Sequence, residues 1–206
     1  MLHQNPTTVP SVAQDYPEWH RGRKDYALWL IELGNDEVNK KVHAAREHLA
    51  EFLLKPYQRQ PHITLFICGF LADTPRFKDD YGWEELRVHT QLLKDSKVKP
   101  FSIEIGKLNS FASAPFLEVD DSEGGIHTVR SLLSNAAKEI GTSAFTPHLT
   151  VGLYAGTFSS TVVGRRISTF SSDPVRVKVE RITFASYQAR EIAGPLSLTC
   201  DVALPA

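Results

Sequence analysis

Two copies of a five-residue motif contain the side chains best suited to chemistry. Residues 61–65 read Pro-His-Ile-Thr-Leu and residues 147–151 read Pro-His-Leu-Thr-Val, so the copies agree in residue type at every position. A single His-x-Thr is expected by chance in a chain with eight histidines. The full pattern arises by chance in on the order of a few per thousand chains. The duplication therefore predicts that His62 and His148 form a functional pair.

These residue types suit the cleavage of a phosphodiester. Imidazole titrates near neutrality, so one ring can act as a base while the other, protonated, acts as an acid. Residues i and i+2 of a strand share a side, which places Thr64 beside His62 and Thr150 beside His148. Threonine hydroxyls can donate hydrogen bonds to the non-bridging phosphate oxygens. This chemistry requires no metal and no cofactor.

Other side chains leave alternatives open. Phe66 and Tyr154 share the parity of the motif residues, so they could line the same groove and stack on a base, and core packing is equally compatible with the pattern. Threonine also suits strands for purely structural reasons. The remaining histidines, cysteines and carboxylates do not have the spacing of metal ligands, so no metal site is predicted.

Apolar patterning predicts the elements that position the motifs. Strands are expected at 25–33 and 61–70 with a helix at 37–54 between them, followed by a helix at 79–95, a strand at 101–105 and a loop at 107–115. The order then repeats, with strands at 116–119 and 146–154 around a helix at 125–140. A helix at 161–170 and closing strands at 175–187 and 195–202 complete the chain. The repeat indicates an α+β fold in two related halves.

Composition limits the class of protein. The chain has 206 residues, 42% of them hydrophobic, and a formal net charge of -1, so no global basic field attracts a long nucleic-acid duplex. No apolar run is long enough to cross a membrane, and we expect a cytoplasmic monomer. The two cysteines are expected to be buried thiols. Residues 1–22 are expected to be a flexible or loosely docked arm, and residues 23–206 a single domain.

Paired His-x-Thr-x motifs, each on a strand after a helix, resemble those of the 2H phosphoesterase superfamily, which includes 2′-5′ RNA ligase-like proteins and cyclic nucleotide phosphodiesterases. The resemblance runs from about Tyr26 to the end of the chain. It adds two candidate substrate-binding residues, Phe111 between the halves and Tyr187 in the closing strand. Many bacterial members carry an Ala-Arg pair soon after the second motif, whereas Gly152, Leu153 and Tyr154 follow it here.

The resemblance implies a bilobal fold, with two pseudo-symmetric strand-helix-strand halves whose antiparallel sheets flank a central cleft. It also implies hydrolysis of a 2′,3′-cyclic phosphate or a 2′-linked ribonucleotide or RNA phosphodiester. The partner is then a ribonucleotide or RNA end that carries such a phosphate. Two alternatives use the same cleft: the joining of RNA ends through a 2′-5′ linkage, and binding of a nucleotide or RNA without catalysis.

Overall fold

The computed structural model describes residues 1–12, 14–141 and 144–205. Ala13 of the expected arm, and Thr142, Ser143 and Ala206 of the expected domain, lie outside the described residues. The strands are β1 (Asp25–Glu32), β2 (His62–Ala72), β3 (Asp80–Gly82), β4 (Phe101–Ser110), β5 (Pro115–Asp120), β6 (His148–Thr150), β7 (Val175–Val179), β8 (Arg181–Gln188) and β9 (Ser197–Ala203). The helices are α1 (Pro17–His20), α2 (Asp36–His48), α3 (Trp83–Asp95), α4 (Gly125–Ser134) and α5 (Ser160–Ser168).

The strands form two sheets, one for each motif. The first sheet has the order β3-β2-β1-β8-β9 and contains the first motif, and the second has the order β6-β5-β4-β7 and contains the second motif. Every neighbouring pair is antiparallel except β2 and β3, which are parallel. The predicted α+β fold, with two strand-helix-strand halves built on antiparallel sheets, is confirmed.

Two predicted elements are divided in the structure. The helix predicted at 79–95 begins only at Trp83, after β3, because Gly82 caps it and donates its N–H to the Glu85 carboxylate at 3.1 Å. The strand predicted at 175–187 is interrupted at Glu180, and its two parts, β7 and β8, belong to different sheets. Alternating apolar residues predict extended backbone but do not indicate which sheet each stretch joins.

Other boundaries also differ from the prediction. The loop predicted at 107–115 is a hairpin, because β4 continues to Ser110 and pairs there with Pro115. Helices α2 and α4 end at His48 and Ser134, earlier than their apolar spacing predicts, and β6 covers only three residues. The apolar residues beyond these ends are buried by the loops that contain them, as Phe52 and Leu53 show. Burial outside regular elements extends an apolar pattern without extending the element.

The two halves are joined through one hydrophobic core and through helices that reach across. Helix α2 follows β1, yet its Lys41 ammonium bonds to the Ser172 hydroxyl at 2.7 Å and its Arg46 Nε to the carbonyl of Val151 at 2.8 Å. Helix α4 belongs to the second half, yet it packs on β2 of the first sheet and on α3. A core cluster runs continuously through both sheets and these helices. Each half therefore helps to fix the motif strand of the other.

The N-terminal segment is docked along the second half. The backbone N–H groups of Thr8, Val9 and Ser11 donate to carbonyls of Phe158, Ala112 and Tyr154 at 2.8–2.9 Å. Leu2 and Thr8 are buried, which corrects the expectation of a loosely docked arm for the described part of these residues.

The structure also bears on the cysteines and on membrane association. Both cysteines are free thiols, as predicted, with Cys68 buried and Cys200 half-buried. None of the described helices is long and apolar enough to span a membrane.

Candidate active site

The two motif strands belong to different sheets and contact each other where the sheets meet. β2 and β6 are in contact, and on both strands the aliphatic residues between and after the motif side chains are fully buried: Ile63, Leu65, Leu149 and Val151. Thr64, His148 and Thr150 remain partly exposed on the opposite side. This alternation is what a strand with one buried face requires. The four predicted side chains therefore share the region where the two halves meet.

Both imidazoles are held in the same way. Nδ1 of His62 lies 2.7 Å from the carbonyl oxygen of Gln60, and Nδ1 of His148 lies 2.7 Å from that of Thr146, in each case two residues earlier. A carbonyl can only accept, so Nδ1 carries the proton and Nε2 is the basic nitrogen. Among the described residues neither Nε2 atom has a hydrogen-bond partner. The two imidazoles thus have the same tautomer and the same kind of hydrogen bond to the backbone.

Burial lowers the pKa of both histidines. It lowers the pKa of His62 to about 4, although the hydrogen bond to Gln60 raises it, and the positive charges of Arg59 and His148 lower it further. It also lowers the pKa of His148, against the opposing effect of the bond to Thr146. Both rings are therefore neutral at pH 7 in the free protein.

Aromatic rings orient His148. Phe111 and Phe116 stack with their centroids 4.3 Å apart, and both meet the His148 ring edge-on, at 5.0 and 5.6 Å. Phe111, which the resemblance singled out, therefore contacts a motif histidine directly. Edge-on aromatic contacts of this kind restrict ring rotation.

A cavity of about 530 Å³ opens beside the motifs. Thr64 of the first motif and His148 of the second both line it, so it is shared between the halves, whereas His62 and Thr150 do not line it. Its apolar wall consists of Ile67, Phe111, Ile140 and Phe145, and its charged side chains are Arg130 and Glu139. Neither the Thr64 nor the Thr150 hydroxyl bonds to another described residue. A cavity with mainly apolar walls and a few polar groups is typical of a small-molecule site.

The structure corrects the prediction that Phe66 lines this groove. Along β1 and β2, Leu30 faces Thr64 and Trp29 faces Phe66, so Leu65 has no partner and forms a bulge. The bulge moves the following residue to the other face, and Phe66 is fully buried in the core. Ile67, and not Phe66, lines the cavity. Simple alternation from the motif could not reveal this change of face.

Neither Tyr154 nor Tyr187 lines the cavity. Tyr154 is fully buried and its hydroxyl lies 2.6 Å from Ser110 Oγ, so it presents no face to a base, which corrects that prediction. β6 ends at Thr150, and its parity does not continue to Tyr154. Tyr187 is half-buried, and its ring is covered by the guanidinium of Arg59 at 3.9 Å. It does not line the cavity described above.

Three charged residues near the motifs were missed by the sequence analysis. Arg59 lies three residues before His62, and Arg130 and Glu139 line the cavity. A single arginine in a helix or a turn is typical of a solvated surface, so nothing in the pattern distinguished these residues. As for metals, residues 1–12, 14–141 and 144–205 hold no group of three His, Cys, Asp or Glu side chains placed to share an ion.

Comparison with solved structures shows the same fold in several proteins. E. coli LigT complexed with 3′-AMP is 13% identical, with a TM-score of 0.60, and the match covers 89% of this chain and 99% of LigT. A protein solved as a phosphoesterase is 16% identical, with a TM-score of 0.59 and coverage of 88% and 99%. Kluyveromyces marxianus Usb1 is 14% identical, with a TM-score of 0.54 and coverage of 88% and 98%.

Sequence comparison gives a more specific result. No curated protein sequence matches the chain. The family model of the 2′-5′ RNA ligase superfamily matches residues 34–191, which include both motifs and most of both sheets. The chain therefore belongs to the 2′-5′ RNA ligase superfamily, the 2H phosphoesterases.

Proposed function

We propose that the protein is a metal-independent phosphodiesterase that hydrolyses 2′,3′-cyclic phosphates or 2′-linked ribonucleotide and RNA phosphodiesters. The observation that carries this proposal is the matched pair of histidines. Each has Nδ1 fixed by a carbonyl two residues earlier and Nε2 unbonded among the described residues. Two basic nitrogens held in the same way, on motif strands that contact each other, suit a reaction that removes one proton and supplies another.

For a 2′,3′-cyclic phosphate, the reaction adds water across one P–O bond. One imidazole takes a proton from water as its oxygen attacks phosphorus, and the other gives a proton to the ribose oxygen that departs on the opposite side. Thr64 and Thr150 donate hydrogen bonds to the non-bridging oxygens as charge develops on them. The product is a nucleoside 2′- or 3′-monophosphate.

We assign the base to His62 and the acid to His148. Burial and the nearby Arg59 keep the pKa of His62 at about 4, so this ring is ready to accept a proton. His148 is more exposed and has no arginine among the groups that shift its pKa. A bound phosphate anion next to His148 raises its pKa, so this ring gains the proton that it later donates.

The superfamily and the solved structures support a nucleotide substrate. E. coli LigT, which has the same fold, was solved in complexes with 3′-AMP, with ATP and with phosphate. The apolar cavity wall beside Thr64 and His148 suits a nucleobase attached to the reacting ribose phosphate.

The test is turnover of nucleoside 2′,3′-cyclic phosphates in the presence of EDTA. We expect activity in the wild type and a loss of at least about 100-fold in both His62→Ala and His148→Ala. His43→Ala is the matched control, because His43 is exposed on α2 and belongs to neither motif. Activity that requires added metal, or that survives both motif substitutions, contradicts the proposal. If cyclic substrates are not hydrolysed, the same variants are tested on 2′,5′-linked dinucleotides. Hydrolysis by the wild type that is lost in both motif variants then supports the proposal, and no hydrolysis of either substrate contradicts it.

A further inference from the structure

Among the residues that the structure describes, no strand is hydrogen-bonded to one edge of the first motif strand beside the motif. β2 pairs with β1 along one edge, and β3 pairs with its other edge only from Phe70 to Ala72. A strand edge that is free in this way needs other partners for its backbone groups. These partners come from the second half of the chain.

Three bonds from the second half satisfy this edge. The guanidinium of Arg130 on α4 donates to the carbonyl of Leu65, which is the bulge residue without a partner on β1. The N–H of Ile67 donates to Glu139 Oε1 at 3.2 Å, and the carbonyl of Ile67 accepts from the N–H of Ile140 at 3.0 Å. The bonds lie on the residues that directly follow Thr64.

Arg130 and Glu139 also hold each other. Nη2 of Arg130 lies 2.7 Å from Glu139 Oε2, and its Nη1 lies 3.2 Å from Oε1, a two-point contact. The guanidinium lies 3.6 Å from the centroid of the Phe145 ring. The exposed fractions of the two side chains are only 16% and 24%. A paired, partly buried and stacked guanidinium has one orientation, so it can fix the backbone that it bonds.

We infer that Arg130 and Glu139 are positioning residues for catalysis. Together they hold the bulge of β2 in place and so fix the positions of His62 and Thr64 relative to His148. This inference rests on the proposed two-histidine function. Because the bulge places Thr64 and Ile67 on the cleft side, a shift of β2 at Leu65 moves the Thr64 hydroxyl directly. Misplacement of a reacting group by about 1 Å can cost on the order of 100-fold in rate.

Steady-state kinetics of Arg130→Met and Glu139→Ala provide the first test. We expect kcat to fall by about 10- to 100-fold in each, a larger effect than the change in KM, since the apolar wall of the cavity remains although Arg130 and Glu139 also line it. The double variant is expected to be no worse than either single variant, because the pair acts as one unit. Glu139→Gln keeps an acceptor for the Ile67 N–H and should recover part of the loss. The milder Arg130→Lys and Glu139→Gln remain usable if the first variants do not fold.

The titration of His62, followed by NMR of its imidazole, is the second test and needs no substrate. Loss of the Glu139 anion alone would lower the pKa of His62, and loss of the Arg130 cation alone would raise it. If both residues hold β2 in place and thereby keep water away from His62, either substitution exposes the imidazole to water. The pKa of His62 then rises by about one unit or more in both variants. The same direction of shift in both variants therefore identifies positioning rather than charge.

The control is the exposed ion pair Glu84–Arg87 on α3, with side chains 69% and 70% exposed. Glu84→Gln and Arg87→Met should leave kcat and the His62 titration unchanged. An unchanged kcat in the Arg130 and Glu139 variants, a raised KM at constant kcat, or opposite shifts in the titration would each overturn the inference. Failure of the proposed function would be seen separately, as wild-type protein without turnover, and the titration would still decide this point.

Discussion

Thr64 and Ile67 both line the cleft although three positions separate them on β2. Their partners on β1 are Leu30 and Leu28, which lie on the same face of the first sheet, whereas Trp29 and its partner Phe66 lie on the core face. The bulge at Leu65 produces this arrangement, because it places two residues of β2 opposite one position of β1. The wall of the site therefore depends on a local irregularity of the strand.

This arrangement predicts different effects for two adjacent substitutions. Phe66→Ala empties a core position and should lower the free energy of unfolding by about 3–5 kcal/mol. Ile67→Ala should cost less, because Ile67 is half-buried, but should raise KM for a nucleotide substrate by removing cavity wall. Urea unfolding and steady-state kinetics of both variants measure the two effects. A raised KM in Phe66→Ala with an unchanged KM in Ile67→Ala would contradict the assignment of faces.

The motif and the elements around it could be predicted from sequence because they repeat and alternate. His62 and Thr64 share a face through simple period-two geometry, and the aliphatic residues beside them are buried as expected. The face of Phe66 could not be predicted, since a bulge depends on how β1 and β2 pair. The roles of Arg130 and Glu139 depend on the packing of α4 on the opposite sheet. Contacts between distant segments leave no periodic pattern in the chain.

Stability should fall as the pH is lowered from about 6.5 toward 4. Burial lowers the pKa values of His62, His89 and His148 in the folded protein, whereas the unfolded chain takes up protons near pH 6.5. In this window the unfolded state binds more protons at His62, so His62 reduces the free energy of unfolding by up to about 1.4 kcal/mol per pH unit, and His89 and His148 act in the same direction. Urea unfolding at pH 7, 6 and 5 measures the slope.

A histidine variant checks the source of that slope. His62→Gln should make the fall between pH 7 and 5 shallower, and His43→Gln, at an exposed position, should not. Asp79 and Asp80, whose pKa values are lowered by bonds to Arg23 and, for Asp80, to backbone N–H groups, titrate below this window. Equal slopes in wild type and His62→Gln would show that His62 is not protonated on unfolding.

Arg59→Gln should shift the acidic limb of activity upward. Burial is the main cause of the low pKa of His62, and the Arg59 cation lowers it further, so removal of that charge moves the pKa from about 4 toward 6.5. With His62 as the base, the acidic limb of kcat/KM follows this pKa. The pH–rate profile and the imidazole NMR titration should shift together. Arg181→Gln, at an exposed position on β8, is the control, and a shift of equal size there would refute a local effect of Arg59.

Removal of either motif hydroxyl should slow turnover without unfolding the protein. Thr64→Val and Thr150→Val keep the shape and β-propensity of the side chain but lose the donor to a non-bridging oxygen. Loss of one such donor typically costs 100- to 1,000-fold in kcat, and Thr64→Ser, which keeps the hydroxyl, should retain most of the rate. Neither hydroxyl bonds to another described residue, so the free energy of unfolding should change little. Thr161→Val, exposed on α5, is the matched control. Wild-type kcat in Thr64→Val or Thr150→Val would show that this threonine only stabilises its strand and does not contribute to catalysis.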